Sequence, residues 1–348
     1  MSAMPQSPDR PRPAVPDAAP APAATGGRPR AWRAVALAGG LALIVALPFC
    51  VKTFFVFQIT LAVIYAIAIL GLNLLTGFNG QFSLGHSAFY AIGAYTAAIM
   101  MDADIPYVWT LPAAAAACFV SGFLFGLPAL RLGGLYLALA TFALAVATPQ
   151  LLKASFLEHW TGGVQGISIL KPDAPFGLPL DSDQWLYFFT VAVAAVLYLG
   201  AVNLVASRTG RALIAIRDHP TAASAMGINV ALYKSLAFGV SALYTGVAGA
   251  LGAIAISFVA PDSFTFALAI ALFVGLVVGG VGSIPGTLFG GAFVLFVPNI
   301  AEHFSKGAAG AVYGVILILL IYLMPTGAAG FVGWLRRGLA PRSAPSHE

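Results

Sequence analysis

Long stretches of this chain carry no Asp, Glu, Lys or Arg: 34–51, 53–101, 105–130, 132–152, 184–207, 235–261, 263–301 and 307–335. That pattern constrains the fold more than any motif does. About 20 consecutive apolar residues make one membrane-spanning helix, and a backbone without water around it must satisfy its own hydrogen bonds. Composition agrees, with 60% hydrophobic and 8% charged residues, where a soluble domain carries about 25% charged. The reading is an all-α integral membrane protein. The stretch 53–101 is long enough for two spans, and 263–301, interrupted by glycine at 279–286, for two more. No small-residue cleavage site follows 34–51, so it reads as an uncleaved first span, and the total is about ten.

An even number of spans puts both ends on one side, and the charges say which. Lys and Arg near span ends are retained in the cytoplasm. Of the 17 such residues, 13 fall on the side that holds both termini and only Lys52, Lys153, Lys171 and Lys306 on the other. Both termini are therefore expected in the cytoplasm. Residues 1–33 are rich in Pro and Ala, with arginines at 10, 12, 28, 30 and 33, and read as a disordered cytoplasmic arm. The transmembrane domain is 34–335 and the cytoplasmic tail 336–348. The net charge of +5 is spread singly or at span ends, which calls for a lipid bilayer and no nucleic acid.

The long polar connector 207–229, SRTGRALIAIRDHPTAASAMGIN, is a cytoplasmic loop by its arginines, 208, 211 and 217. Two short helices are predicted in it. Leu213 and Ile216 lie three apart on one face; Pro220 suits the first turn of the second helix, and Gly227 its C-terminal stop. A helix pair so sharply ended outside the membrane is a grip for another protein, against the plainer alternative of a solvated connector. On the outside, 153–183 is the longest loop, with an acidic cast. Its Trp160, Thr161, Gly162, Gly163 and Gly166 read as turns beside an interfacial aromatic, a candidate docking point or cap against an ordinary surface loop.

Two glycine-rich interruptions fall inside apolar sequence. In 71–95, GLNLLTGFNGQFSLGHSAFYAIGAY, Gly77 and Gly80 accompany Asn73, Thr76, Asn79, Gln81, Ser83 and His86. Backbone released from a helix within a bilayer must be buried in protein or line a watery cavity, and broken helices of this kind bound transport pathways. These six polar residues are thus candidates for a passage, with a tight turn aiding helix packing as the alternative. In 279–291, GGVGSIPGTLFGG, Gly279, Gly282 and Gly286 repeat the theme of span, glycine break and span, and the shared G-x-x-G hints at internal duplication.

Several classes are excluded by what is missing. No GxxxxGK[ST] occurs, so ATP hydrolysis is not expected on this chain. No acidic or basic residue sits near the middle of a predicted span, which disfavours a self-powered ion-coupled carrier. Histidines 86, 159, 219, 303 and 347 stand apart with no HExxH, and Cys50 and Cys118 form no CxxC pair, so no metal or nucleophile site is expected.

LGLNLLTGFNGQFSLGHSAFYAIGAYTAA (70–98), PALRLGGLYLALAT (128–141), TGGVQGI (161–167), the 207–229 loop and GGVGSIPGTLFGG (279–291) together resemble the LivM type of branched-chain amino-acid ABC importer permease. The similarity runs in order across 54–325 and leaves out the arm 1–33. It implies an inner-membrane, multi-pass transport subunit, not an enzyme. Its partners would be a second homologous permease, two ABC ATPases that use ATP-Mg, and an extracytoplasmic solute-binding protein. It also implies that 207–229 couples to an ATPase, through Arg211, Arg217, Asp218, Pro220, Thr221, Ala222, Ala223 and Gly227. ABC importers mark this loop with Glu-Ala-Ala, three residues, then Gly; here Thr221 stands in place of Glu, and the usual Ile-x-Leu-Pro further on is absent. Rival readings are a permease of the same family for urea, short amides or other amino acids, a stand-alone channel or secondary carrier, and a membrane-embedded enzyme.

Overall fold

The computed structural model describes residues 44–130, 132–175, 179–304 and 309–323, with single positions at 39, 42, 327, 328 and 330. The N-terminal arm 1–33, the first part of the expected first span, Arg131, the end of the last span and the tail 336–348 lie outside the described residues. The chain forms two compact units, 1–46 and 47–348. Of the first unit only its last few residues are described, and they are helical.

The second unit is built of helices: α1 Thr53–Asn73, α2 His86–Asp102, α3 Tyr107–Ala129, α4 Leu135–Leu152, the single turn α5 Glu158–Thr161 and α6 Ser182–Ala206. After them come α7 Arg208–Asp218, α8 Pro220–Ala225, α9 Val230–Ile256, α10 Phe266–Gly279, α11 Gly286–Phe304 and α12 Ala309–Leu323. The six charge-free windows from 53–101 to 263–301 coincide with helices to within about five residues, and the windows at 53–101 and 263–301 each hold two. Among the described residues six helical stretches are long and apolar enough to cross a membrane, α10 counting together with the short turn before it as Pro261–Gly279. The shorter apolar helices are α2 with 17 residues, α12 with 15 and the apolar stretch of α11. Among the described residues the fold is helical apart from one antiparallel ladder, which the sequence did not foreshadow. In it β1 (Ile167–Ser168) pairs with β2 (Phe258–Val259), in the register Ile167 to Val259 and Ser168 to Phe258.

Local chemistry sets several helix ends. Asp181 caps α6 through Ser182 N, and Gln184 Oε1 returns the bond to the Asp181 amide at 3.2 Å. This reciprocal pair satisfies donors that a helix start otherwise leaves open. Ser207 Oγ accepts from Thr209 and Gly210 at the start of α7, and Asn229 Oδ1 from Leu232 at the start of α9. Gly280, at φ 109, ends α10.

Helix α9 is the spine. Of its apolar window 83% is buried, against 17% for α6, because α9 packs against α1, α2 and α3. Small residues make that packing possible: without a hydrophobic drive between helices in lipid, close backbone approach supplies the van der Waals contact. A Cβ on Gly93 of α2 would fall on the Gly246 carbonyl of α9, and one on Gly249 or Gly252 would fall on Tyr90 of α2.

Candidate functional site

At the end of α6 where α7 begins, three segments meet: the end of α1, the α10–α11 connection and α7. Helix α1 does not stop cleanly. It widens into a π-helical turn, Leu74–Phe78, and Gly80 then takes φ 72, so 80–85 runs as irregular chain into α2. π-turns interrupt the regular ladder and free a carbonyl for other donors. The Gly77 carbonyl accepts from Arg217 Nη1 of α7 at 2.9 Å.

The six polar residues singled out in 71–95 are all buried in this chain, and they bond to one another and to neighbouring helices. Asn73 Nδ2 donates to Ser283 O at 2.9 Å, and Asn73 Oδ1 accepts from Gly282 N at 2.8 Å. Thr76 Oγ1 donates to Gln81 O at 3.0 Å, and Asn79 Nδ2 to Gln81 Oε1 at 2.5 Å. Ser83 Oγ lies 3.1 Å from His86 Nδ1, and His86 Nε2 lies 2.7 Å from Ser241 Oγ of α9. Ser241 donates in turn to Gly71 O at 2.6 Å. Buried polar groups left unpaired cost about 1–3 kcal/mol each, so this network joins α1, α2, α9 and the second glycine break. Among the described residues the Asn79 Oδ1 and Ser87 Oγ atoms have no hydrogen-bond partner.

Sequence reasoning missed that the two glycine breaks touch. A Cβ on Gly77 would fall on Asn73 Oδ1 and lie 2.6 Å from Gly282 N. The repeated G-x-x-G was the one available signal. Of the other break glycines, Gly279 abuts the Gly286 carbonyl, which lets the chain reverse tightly between α10 and α11. Thr141 of α4 was also unforeseen: its Oγ1 accepts from Leu84 N at 2.9 Å and pins the irregular segment from the side.

The 207–229 segment is a helical hairpin. On α7, Leu213 and Ile216 are buried on one face, as their spacing predicts. Pro220 occupies the first turn of α8, and Gly227 at φ 84 follows its end. Ile228 N reaches back to Ala223 O at 3.1 Å and closes the turn. Thr221 and Ala222 are exposed, while Ala223 is buried. Met226 is 83% exposed at the tip. Arg211 bonds back to Ala206 O at 3.1 Å, and Arg217 Nε contacts Asp218 Oδ1 at 3.0 Å.

At the other end of α6, Gly162, Gly163 and Gly166 all have positive φ, between 56 and 74, and wind 162–166 into consecutive turns. Thr161 is buried and donates to Leu152 O at 2.8 Å, while Trp160 and Val164 are 60% and 67% exposed. The loop is fastened by Lys153 to Asp262 at 2.5 Å, by Lys171 to Asp183 at 2.6 Å and by the β1–β2 ladder. Among the described residues no cluster of His, Cys, Asp or Glu could hold a metal ion.

Apolar helices packed through glycine, two broken spans and an exposed helical hairpin at one end define a multi-pass membrane protein of the transport-permease class. The family described as "Branched-chain amino acid transport system / permease component" matches residues 54–324. The chain belongs to that family. It is 32% identical over 329 residues to the high-affinity branched-chain amino acid transport system permease protein LivM of Escherichia coli (strain K12), covering 88% of this chain and 74% of that protein. Similarity extends to the permease protein LivH of the same strain at 26% identity, over 78% of this chain and 93% of LivH. The permease protein BraD of Pseudomonas aeruginosa is also 26% identical, with the same shares covered. No solved structure matches the chain.

Proposed function

We propose that this chain is the transmembrane permease subunit of an ATP-binding-cassette importer in the bacterial inner membrane, forming the path for branched-chain amino acids handed over by a solute-binding protein. The observation that carries the reading is the α7–α8 hairpin. It leaves the apolar body, exposes Thr221, Ala222 and Met226, and is bonded to a broken span through Arg217. Such a hairpin is built to be gripped and to pass movement inward. With the described helices and the charge-free window 34–51, the chain makes about ten spans, and the basic residues put both termini and the hairpin in the cytoplasm.

Partner ATPases carry ATP-Mg and close on the hairpin when nucleotide binds. A second, homologous permease completes the passage, and the solute-binding protein docks on the opposite side at Trp160, Thr161, Gly162, Gly163 and Gly166. Asn73, Thr76, Asn79, Gln81, Ser83 and His86 border the inner end of the path and shift with the glycine breaks. Outward-open and inward-open arrangements are then two states differentially stabilised by ATP.

The test is purification of the tagged protein in mild detergent from cells that express its own chromosomal neighbours. Recovery of a second hydrophobic subunit and of ATPases with nucleotide-binding motifs is expected, with ATP-dependent leucine uptake after reconstitution. Recovery of the chain alone, with solute flux that needs no ATP, would overturn the reading in favour of a channel.

A further inference from the structure

The geometry points to Arg217 as a positioning residue that clamps both glycine breaks to the α7–α8 hairpin, so that they follow the hairpin as one body. The inference rests on the importer reading for its consequence, and on geometry alone for the clamp. Arg217 sits in the last turn of α7, yet its guanidinium turns away from its own helix to the Gly77 carbonyl at 2.9 Å. Among the described residues this is the one side-chain hydrogen bond by which 207–229 reaches a segment distant in sequence. It is charge-assisted, and it meets the carbonyl end of α1, where the helix dipole favours a cation.

Packing removes the slack from this link. Gly80, in the left-handed region, lies on the aliphatic stem of Arg217; a Cβ there would come within 2.7 Å of Arg217 Cγ. On its other side Gly77 abuts the backbone of Gly282, which Asn73 holds by bonds to Gly282 N and Ser283 O. From Arg217 to the second break the chain is therefore backbone against backbone, with one short amide as the tie. Close-packed contacts transmit displacement instead of absorbing it. The unpartnered Asn79 Oδ1 beside Gly80 marks the same segment as one that a rearrangement can relieve.

Two measurements test the clamp. Spin labels at Ser224, on the hairpin, and Val281, in the second break, report their distance distribution in the detergent-solubilised chain. Arg217→Ala is expected to broaden it and Arg217→Lys, which keeps one cationic donor, to restore it; equal widths in all three proteins would overturn the clamp. In the reconstituted complex, Arg217→Ala is expected to cut leucine carried per ATP hydrolysed about tenfold, the size of effect that coupling residues show. Unchanged leucine per ATP, whether both rates hold or fall together, would reduce Arg217 to a structural contact. A wild-type complex that carries no leucine would defeat the importer reading instead, and the distance measurement would still decide on the clamp.

Discussion

The two glycine breaks share the spacing Gly-x-x-Gly and meet in space, but they are held in different ways. The first, after α1, is surrounded by polar side chains, and Asn73, Thr76, Asn79, Gln81, Ser83 and His86 are all buried. The second, 280–285, is partly exposed. It is tied to the first by Asn73, which takes the Gly282 amide and the Ser283 carbonyl together. One break carries the hydrogen bonds and the other borrows them. The same motif therefore does two jobs: Gly77 is a point of close approach, where any side chain collides, and Gly282 is a point of backbone conformation, where space is open but φ is 79.

The sharpest way to break that contrast is Gly77→Val. The added atoms meet Asn73 and the Gly282 backbone, neither free to retreat, so the expected loss is about 3 kcal/mol or more. It reads out as a lowered thermal midpoint of the detergent-solubilised protein; an unchanged midpoint would mean the breaks do not touch. Asn73→Ala comes next. It removes both bonds to the second break, leaves a half-buried donor and acceptor without their partner, and is expected to lower stability by about 2 kcal/mol. Amide hydrogen exchange at Gly282 should then accelerate, and unchanged protection there would show that the second break holds itself. Gly282→Ala should be mildest, about 1 kcal/mol for forcing a Cβ into the left-handed region, since the nearest atom is 3.8 Å from such a Cβ. A loss equal to that of Gly77→Val would erase the distinction between the two glycines.

Much of the helical frame was legible in advance because its causes are local. From 53 to 304 the charge-free windows end within about five residues of the helix ends, since a single Asp, Glu, Lys or Arg in lipid is costly enough to mark a boundary. The hairpin was legible for the same reason. Pro220 can open α8 because its missing N–H has no partner there to lose, and Gly227 can end it because φ 84 suits glycine. Leu213 and Ile216 show their shared face in their spacing alone. For the polar residues of 71–95, the sequence displayed a concentration of hydrogen-bonding groups in apolar surroundings, which called for partners without naming them.

The partners came from elsewhere in the chain. Asn73 meets Gly282 across 209 positions, Arg217 meets Gly77 across 140, and His86 meets Ser241 across 155. The β1–β2 ladder and the Lys153–Asp262 pair are of the same kind. The sequence by itself determined the apolar helices, the places where they break and the two ends of the hairpin, because dihedral preference and transfer energy act residue by residue. Only the tertiary structure decided which break lies against which, and that Arg217 reaches Gly77. A hydrogen-bonding group specifies that it needs a partner, while helix packing, governed here by glycines that let backbones approach, decides which partner comes within reach.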